Sequence, residues 1–394
     1  MPKAMASRER MLCAIEGKAA DYVPLSFMIF SACERRCGGP LDFFLRQKEL
    51  GLDAVVELWR LNADEVKDCG DAPGPPVAFG PEVKVREWRE APAGERYPLL
   101  HKEYQTPHGT LTTTVQQTDD WRLGDHVPFL DDYVEARSTK PLVTCFDDLP
   151  PLRFLLAPPR MHELARTRQL WATGIRFAQE NELLSAAGWS VGGDALAWLC
   201  GLQASVMMAM DQPELLEGVL DAVGDWNRWR MEVMLDAKPD LLVRRGWYEG
   251  TDFWSPALYR RFLLPRLAAE VRMAHQAGAK FGYILTSGAM PLLDMIIGAG
   301  VDVLIGVDPI QGKGTDMAEM KRRTKGHLAL WGGVNGFITV ERGTPQGIRE
   351  AVRLALDTLG PDGFILSPVD NIRDTSEEVW ERAMVMIEAW KEIR

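Results

Sequence analysis

Histidine and cysteine are scarce in this chain, with six of each among 394 residues, and no cysteine lies beyond residue 200. Cys33 and Cys37 are the one closely spaced pair, and a single CxxxC without a second pair is a poor zinc signal. The other cysteines are scattered, and the amino-terminal stretch is charged throughout, without the apolar segment of an export signal. These features indicate reduced thiols and a cytoplasmic protein.

Long apolar runs and an excess of basic residues are also absent. No stretch is long enough to span a bilayer, and the formal net charge of −11 argues against a face for nucleic acid or anionic lipid. The sequence has no GxGxxG after a predicted strand and no GxxxxGKS/T, so it offers no cradle for nucleotide phosphates. We therefore expect a small-molecule substrate, with neither nucleic acid nor membrane as a partner.

What the chain does have is a regular alternation of short apolar strands with helices. Its clearest unit is 280–309, where two strands flank a helix-like run and each strand is followed at once by small or polar residues. Strands buried on both faces read as continuous apolar runs, which is typical of a parallel sheet. Eight strands are predicted, near residues 23–29, 53–58, 183–189, 240–245, 281–285, 301–307, 327–331 and 363–367.

Eight strands with intervening helices predict an α/β fold of the (β/α)8 TIM-barrel type, and a doubly wound open sheet is the structural alternative. We interpret residues 1–394 as one domain. Between strands two and three, residues 70–158 contain many prolines and glycines, short β-prone runs and no long helical period, which predicts a β-rich insertion. Its three histidines match no ligand spacing, so surface or hydrogen-bonded histidines are the simpler interpretation.

Polar and aromatic side chains follow the predicted strands, at the edge where a barrel collects its chemistry. Crowded carboxylates raise one another's pKa and can act as general acid or base, and tryptophans can form walls against a planar group. No histidine ends a strand, so Ser287 lacks the partner that a Ser–His hydrolase needs. The strand-end candidates are Glu57, Trp59, Trp189, Arg244, Arg245, Trp247, Tyr248, Glu249, Asp252, Thr286, Ser287, Asp308, Gln311, Trp331, Asn335, Asp370 and Asn371.

Several of these candidates have a plain structural alternative. Glu57 or Asp308 can form an ion pair with Arg244 or Arg245, and the pair 370–371 can make an Asx turn into the last helix. The sequence leaves both interpretations open.

The chain resembles the uroporphyrinogen decarboxylase superfamily over nearly its whole length. The resemblance begins at RERMLCAIEGKAADYVPL and is strongest in the carboxyl-terminal half, in GAKFGYILTSG, IIGAGVDVLIGVDP, MAEMKRRTKGHLALWGGVN and GTPQGIREAVRLALDTLGPDGFILSPVDNI. It implies a (β/α)8 barrel, in agreement with the strand count. It leaves the reaction open, because the superfamily contains both decarboxylases and corrinoid-linked methyltransferases.

Neither branch's usual signature is present. The decarboxylase branch has an arginine-rich turn, MRQAGR, after the first strand, and the corresponding stretch here, Met28–Cys33, has no arginine. The thiol-activating methyltransferases bind zinc through H-x-C-G after strand five and a cysteine after strand eight. In this chain those positions are Leu285, Ser287 and Asp370, which rules out a zinc site of that form. A zinc site with other ligands, including carboxylates, stays compatible with the resemblance.

Our favoured hypothesis is a methyltransferase or demethylase that moves a methyl group from a small methylated donor, for example a methoxyaromatic compound, to a corrinoid on a partner protein. Breaking an O–methyl bond needs an acid or Lewis acid at the leaving oxygen. The candidates for that role, or for holding a metal, are Tyr248, Glu249, Asp308 and Asp370. The candidates for binding substrate are Glu57, Trp189, Arg245, Trp247, Ser287, Trp331, Asn335 and Asn371.

Two other hypotheses remain. One is a decarboxylase-like lyase that holds a carboxylic acid with Arg244 and Arg245. The other is a non-catalytic barrel that binds a ligand without turnover. The resemblance also implies a homodimer, because members of the superfamily are often dimers.

Overall fold

A seven-stranded parallel sheet and a separate four-stranded antiparallel sheet form the framework of the protein. The computed structural model describes residues 5–65, 67–75, 77, 79–159, 162, 164–369 and 372–394. The strands are β1 Val55–Glu57, β2 Lys84–Glu90, β3 Leu99–Thr106, β4 Gly109–Gln116, β5 Ser138–Lys140, β6 Leu184–Ser190, β7 Leu241–Arg245, β8 Lys280–Ile284, β9 Val303–Val307, β10 Ala329–Asn335 and β11 Phe364–Val369.

The parallel sheet has the order β1-β6-β7-β8-β9-β10-β11, with helices in the connections between its neighbouring strands. The α-helices are α1 Ser7–Ile15, α2 Ser31–Glu34, α3 Pro40–Glu49, α4 Asp132–Glu135, α5 Leu149–Leu155, α6 Ala165–Asn181, α7 Gly193–Cys200, α8 Leu202–Asp211, α9 Pro213–Asp236, α10 Pro256–Leu258, α11 Leu264–Gln276, α12 Leu293–Ala299, α13 Met317–Thr324, α14 Pro345–Leu359 and α15 Glu377–Ile393. Short 3₁₀ segments cover 58–65, 67–69, 146–148 and 290–292, and π-helical turns cover 259–263 and 336–341.

The predicted α/β class and seven of the eight predicted strands are confirmed. These strands carry side chains that are buried on both faces, as in β6 and β10, where every residue is buried. That is why they read as unbroken apolar runs rather than as alternating ones. Helix α14 also begins as expected, because the Thr344 hydroxyl accepts a hydrogen bond from the Gly347 N–H at 3.1 Å and Pro345 follows at the first turn.

The expected first strand, near 23–29, makes single bridges rather than a continuous ladder. Leu25 pairs in parallel with Leu366 of β11, and the Asp53 N–H donates to the Leu25 carbonyl at 2.9 Å. Pro24 has no N–H to donate, although its carbonyl accepts a hydrogen bond from Leu366 at 2.9 Å. The segment therefore lies between β11 and the start of β1 without extending either ladder.

The antiparallel sheet, β2-β3-β4-β5, comes between β1 and β6 in the chain. In β3 buried and more exposed residues alternate, so one face of this sheet packs against the body of the protein. Its four strands lie between residues 84 and 140.

Three local features differ from the sequence-based expectation. Strand β10 continues to Asn335, so Trp331 lies inside the strand and not at its end. The helix predicted over 256–278 is interrupted by a π-helical turn before Pro265, which cannot donate the backbone hydrogen bond that a continuous α-helix needs. Helices α7 and α8, which meet at Gly201, were not predicted.

None of the helices in the described part of the chain is both long enough and apolar enough to cross a membrane.

Candidate active site

The inner face of the parallel sheet forms an apolar cluster that is distinct from the main core. Every other residue of several strands contributes to it, including Val55, Ala186, Val243, Ile305 and Trp331. Helix α1 packs Met11, Ala14 and Ile15 against the same cluster. Alternate side chains filling the interior is the arrangement expected inside a curled parallel sheet.

Towards the carboxyl ends of the strands, this interior contains a cavity of about 20 Å³, which is room for about one water molecule. A second cavity, of about 10 Å³, lies beside it, and both are lined by Met28, Ile284, Ile305 and Trp331. Among the described residues that line either cavity, Glu57 is the one that is ionisable. Apart from the hydroxyl residues Thr286 and Ser367, the rest of the lining is apolar, as in many small-molecule sites, although the volume is far below the roughly 300 Å³ of a typical ligand pocket.

Four tryptophans surround the two cavities: Trp59, Trp189, Trp247 and Trp331. The rings of Trp59 and Trp189 are 5.6 Å apart between centroids at 58°, and those of Trp189 and Trp247 are 5.5 Å apart at 69°. The indole nitrogens of Trp189, Trp247 and Trp331 are buried and have no hydrogen-bond partner in the described structure. Since an unpaired buried donor costs about 1–3 kcal/mol, these three indole N–H groups are candidates for donating to a ligand.

Irregularities in the sheet place two of these tryptophans. The register between β9 and β10 shifts at Trp331 and Gly332, where the glycine has φ +145°, a conformation that L side chains rarely adopt. The register between β6 and β7 shifts at Trp189. The backbone N–H of Trp189 donates to the Pro73 carbonyl at 2.7 Å. Bulges of this kind re-aim a side chain and are common next to functional sites.

Glu57 ends β1 and presents its carboxylate to the cavity. One oxygen accepts a hydrogen bond from the Arg60 guanidinium, which is held in turn by Glu34 at 2.9 Å. The other oxygen of Glu57 accepts no hydrogen bond from the described residues. Burial raises the pKa of Glu57, although Arg60 opposes the shift.

Arg244 lies at the centre of a buried ionic network. Its guanidinium donates to Glu249 at 2.7 Å and to Glu270 at 2.8 Å. Glu249 is fully buried and also accepts hydrogen bonds from the Gly193 N–H at 2.7 Å and from the Tyr283 hydroxyl at 2.5 Å. The carboxylate of Glu249 is therefore bonded to other groups of the protein, and Glu249 lines neither cavity.

Arg245 joins the parallel sheet to the segment that carries the antiparallel sheet. It donates to Asp194 at 2.8 Å, to Asp132 at 2.6 Å and to the Asp71 carbonyl at 2.9 Å. Burial raises the pKa of Asp194 to about 7; the guanidinium of Arg245 opposes this shift, and nearby carboxylates add to it. The Arg245 guanidinium carbon also lies 4.4 Å from the Trp247 ring centroid, so Arg245 supports the wall of the site from behind.

Tyr248 and Asp308 are likewise bonded to protein groups. The Tyr248 hydroxyl donates to Asp132 at 3.3 Å, and burial, together with this carboxylate, raises the pKa of Tyr248. Asp308 accepts from the backbone N–H of Gln311 at 3.0 Å and from the Asn335 amide at 2.7 Å. Asp308 and Asn335 thus fix the loops that follow β9 and β10.

Of the sequence-predicted residues, the structure brings six together around the cavities: Glu57, Trp59, Trp189, Trp247, Thr286 and Trp331. Ser287 donates instead to Asp252 in an outer loop. Asp370 and Asn371 lie outside the described residues. Met28 and Arg60 were not predicted; the spacing of Arg60, three residues after Glu57, was the one signal in the sequence.

Comparison with known proteins gives the family. The model of the family described as uroporphyrinogen decarboxylase (URO-D) matches residues 195–392, half of the chain. The chain belongs to the URO-D family. This confirms the resemblance seen in the sequence. No curated protein matches the chain.

Solved structures are similar in fold. A methyltransferase from Methanosarcina mazei aligns with a TM-score of 0.61 at 16% sequence identity, covering 99% of each chain. A B12-independent methionine synthase from Shewanella sp. W3-18-1 aligns with a TM-score of 0.47 at 9% identity, covering 94% of this chain and 97% of that one.

The zinc positions of the URO-D methyltransferases do not fit a metal here. The Leu285 side chain is apolar and buried in the main core, and the Ser287 hydroxyl is bonded to Asp252. Among the described residues, no group of three or more histidine, cysteine, aspartate or glutamate side chains is arranged to hold a metal ion. A zinc site of that form therefore does not fit the residues present.

Proposed function

We propose that this URO-D family protein is a methyltransferase, which takes a methyl group from a small donor and passes it to a corrinoid carried by a partner protein. The observation that carries the proposal is the aromatic cavity beside Glu57, with its three unpaired indole N–H groups. Walls of this composition can orient a small organic molecule through hydrogen bonds and keep water away, once the cavity widens to admit it.

The charges around the cavity support methyl transfer over decarboxylation. A polycarboxylate substrate needs free cationic side chains, and none of the described residues that line either cavity is a lysine or an arginine. Arg244 is occupied by Glu249 and Glu270, and Arg245 by carboxylates that include Asp194. Both arginines are therefore committed to internal ion pairs and are poor candidates for substrate clamps.

The fold supports the same assignment. We propose that residues 24–30 close the parallel sheet into an eight-stranded barrel, because this segment bridges to Leu366 on one side and accepts the Asp53 N–H on the other. The cavities would then lie at the carboxyl-terminal mouth, where enzymes of this architecture carry out their chemistry. The Methanosarcina mazei relative, similar over 99% of both chains, is itself described as a methyltransferase.

In this proposal the residues of the chain bind and orient the donor. The tryptophan walls exclude water, and the indole N–H groups fix the donor's polar atom. Glu57 lines the same cavity and would exchange a proton with the bound donor. The corrinoid, when present, supplies the nucleophile that accepts the methyl group.

The test is methyl transfer from a panel of small methylated compounds to free cob(I)alamin, followed by the absorbance of the methylated product. We expect turnover with at least one donor, and its loss in Trp331→Ala. Trp88→Ala is the matched control, because Trp88 lies on β2 of the antiparallel sheet, stacked on His101 at 4.8 Å. The control removes an indole without touching either cavity.

Two outcomes would overturn the proposal. Release of carbon dioxide from a carboxylic acid, without methyl transfer, would assign the protein to the lyases. Tight ligand binding without turnover of any donor in the panel, by a fully folded protein, would make it a binding barrel.

A further inference from the structure

We propose that the wall around the two cavities opens at a seam between residues 26–34 and strand β1, and that Arg60 is the latch that keeps this seam closed. A small molecule would reach the interior through the open seam. The inference goes beyond the proposed methyl transfer, because it concerns access to the cavities and does not depend on the reaction.

The interior of the protein is closed. Its two cavities have about 20 Å³ and about 10 Å³ of room, so neither holds more than about one water molecule. The indole N–H groups of Trp189 and Trp331 are buried in the wall of the larger cavity, without a hydrogen-bond partner among the described residues. A ligand larger than water therefore reaches these groups only after part of the wall has moved.

The backbone of residues 26–34 is bonded to the side of the sheet that ends in β11. The Ser26 N–H donates to the Leu366 carbonyl at 3.1 Å. Further along, the Ser31 N–H donates to the Ile372 carbonyl at 2.8 Å. The Ile372 N–H in turn donates to the carbonyl two residues before Ser31, at 3.1 Å. This side of the segment is therefore fixed to its neighbour at both ends.

Towards β1, on its other side, the same segment makes no backbone hydrogen bond to that strand within the described part of the chain. The last backbone bond on that side comes earlier, from the Asp53 N–H to the Leu25 carbonyl at 2.9 Å. Paired parallel strands would continue such bonds at regular spacing. Their absence beyond Leu25 leaves the seam, and Met28 and Glu57, one on each side of it, both line the larger cavity.

Arg60 spans this seam. Its guanidinium donates to Glu57 at the end of β1, and across the seam to Glu34 of α2 at 2.9 Å. It also donates to the Met28 carbonyl at 3.5 Å. Among the described residues of 55–65, Arg60 alone hydrogen-bonds to the segment on the other side. The two sides of the seam are thus joined at the cavity by one side chain.

The two ion pairs of Arg60 differ in strength. Glu57 lies on the same side of the seam as Arg60 and its side chain is 9% exposed, whereas Glu34 lies across the seam and is 47% exposed. The buried pair is the stronger one, because water screens the exposed pair. Opening of the seam therefore breaks the bonds to Glu34 and Met28 and leaves Arg60 on Glu57.

Hydrogen exchange of the indole N–H groups measures this opening without any ligand. In protein that is isotope-labelled at its tryptophans, nuclear magnetic resonance follows each indole separately, and Trp→Phe variants assign the signals. The N–H groups of Trp189 and Trp331, the cavity indoles, exchange when water reaches them through the seam. Trp226 is the internal control: its indole N–H is also buried and unpaired, but it lies in the main core and lines neither cavity.

The first variant removes the charge across the seam. We expect Glu34→Gln to make exchange at the cavity indoles about two- to fivefold faster, since a half-exposed ion pair is weak. Glu49→Gln is the matched control, because it breaks an exposed ion pair with Arg46, at 3.0 Å on α3, that does not touch the seam. The control should exchange at the wild-type rate.

The second variant removes the latch. We expect Arg60→Met/Glu57→Gln to make exchange at the cavity indoles at least about tenfold faster, since the bonds to Glu34 and to the Met28 carbonyl are both lost. The change at Glu57 prevents a buried carboxylate from being left without its cation. In both variants the exchange of Trp226 should stay as in the wild-type protein.

Two results would overturn the inference. One is exchange of the cavity indoles at the wild-type rate in either variant, which would show that Arg60 does not hold the wall closed. The other is equal acceleration at Trp226, which would show a general loss of stability in place of a local opening. Glu34→Gln changes one half-exposed side chain, so it decides the question even if the double variant does not fold.

Discussion

Replacing Arg245 by methionine tests whether this arginine is a structural group or a substrate clamp. Its guanidinium carries hydrogen bonds to Asp194, Asp132 and the backbone of Asp71, and the side chain is 1% exposed. Asp194 is fully buried and would lose its cationic partner. The carboxylates of Asp71 and Asp132 are about one third exposed, so water would replace much of what they lose.

Removal of one partner from a buried ion pair costs about 3–5 kcal/mol. We expect Arg245→Met to lower the free energy of unfolding by that amount near pH 7, almost all of it through Asp194. The loss should be larger at pH 8 than at pH 6. Without the guanidinium the pKa of Asp194 rises further, so above pH 7 the folded variant keeps a proton that the wild-type protein releases and that the unfolded chain does not bind. The stability of the variant therefore goes on falling with pH after that of the wild type has levelled off.

Urea unfolding, followed by far-ultraviolet circular dichroism, measures this effect. Arg153→Met is the matched control, because Arg153 is 45% exposed and its ion pair with Asp225 spans 3.4 Å; we expect a change below about 1 kcal/mol. The double variant Arg245→Met/Asp194→Asn should recover much of the stability, since the amide leaves no charge unpaired. If Arg245→Met is as stable as the control and merely binds an acidic substrate less well, the structural interpretation of Arg245 is refuted.

The other predictions concern stability and need no substrate. The pKa of Asp194 is about 7 in the folded protein, against 3.8 for an unperturbed aspartate. Between these two pH values the folded protein binds one more proton than the unfolded chain. The stability that this proton contributes therefore falls as the pH rises and is lost once the pH passes 7. In pH-dependent urea titrations, Asp194→Asn should remove a fall of about 1.4 kcal/mol per pH unit across that window; an unchanged slope would contradict the assignment. Gly306→Ala should destabilise by about 1–3 kcal/mol, because φ is +106° and the added Cβ would come 2.7 Å from the Thr286 methyl carbon. Gly224→Ala, inside α9 with nothing within 4 Å, should instead stabilise by about 0.5–1 kcal/mol, and a loss of melting temperature there would refute the reasoning.

Local sequence patterns predicted the parallel sheet well because its strands are buried on both faces. Continuous apolar runs mark β7, β8 and β9 within two residues of their observed bounds. The start of α14 could also be predicted, because Thr344 forms the cap and Pro345 the first turn, and both depend on neighbouring residues alone. The segment near 23–29 was harder, because its pairing depends on partners more than 300 residues away.

Part of the candidate site followed from the strand-end rule. Glu57 and Trp189 lie where parallel strands finish, so their meeting at one cavity could be expected from the sequence. Trp331 reached the same cavity from inside its strand, where a shift in register turns the side chain. No sequence pattern distinguished these residues from Glu249 and Asp308, whose carboxylates the structure uses in internal hydrogen bonds.

By itself, the sequence determined the α/β class, the family and the list of strand-end residues from which any site must be drawn, because these depend on local periodicity and chain order. The tertiary structure decided which of those residues line the cavities and which are bonded to other groups within the protein. Arg245 is neutralised by Asp132, which is 113 residues away in the chain, and Glu57 keeps one oxygen free. A charged group is either paired within the protein or free to contact a ligand, depending on which distant side chains bury it and hydrogen-bond to it. Only the folded chain brings those side chains together.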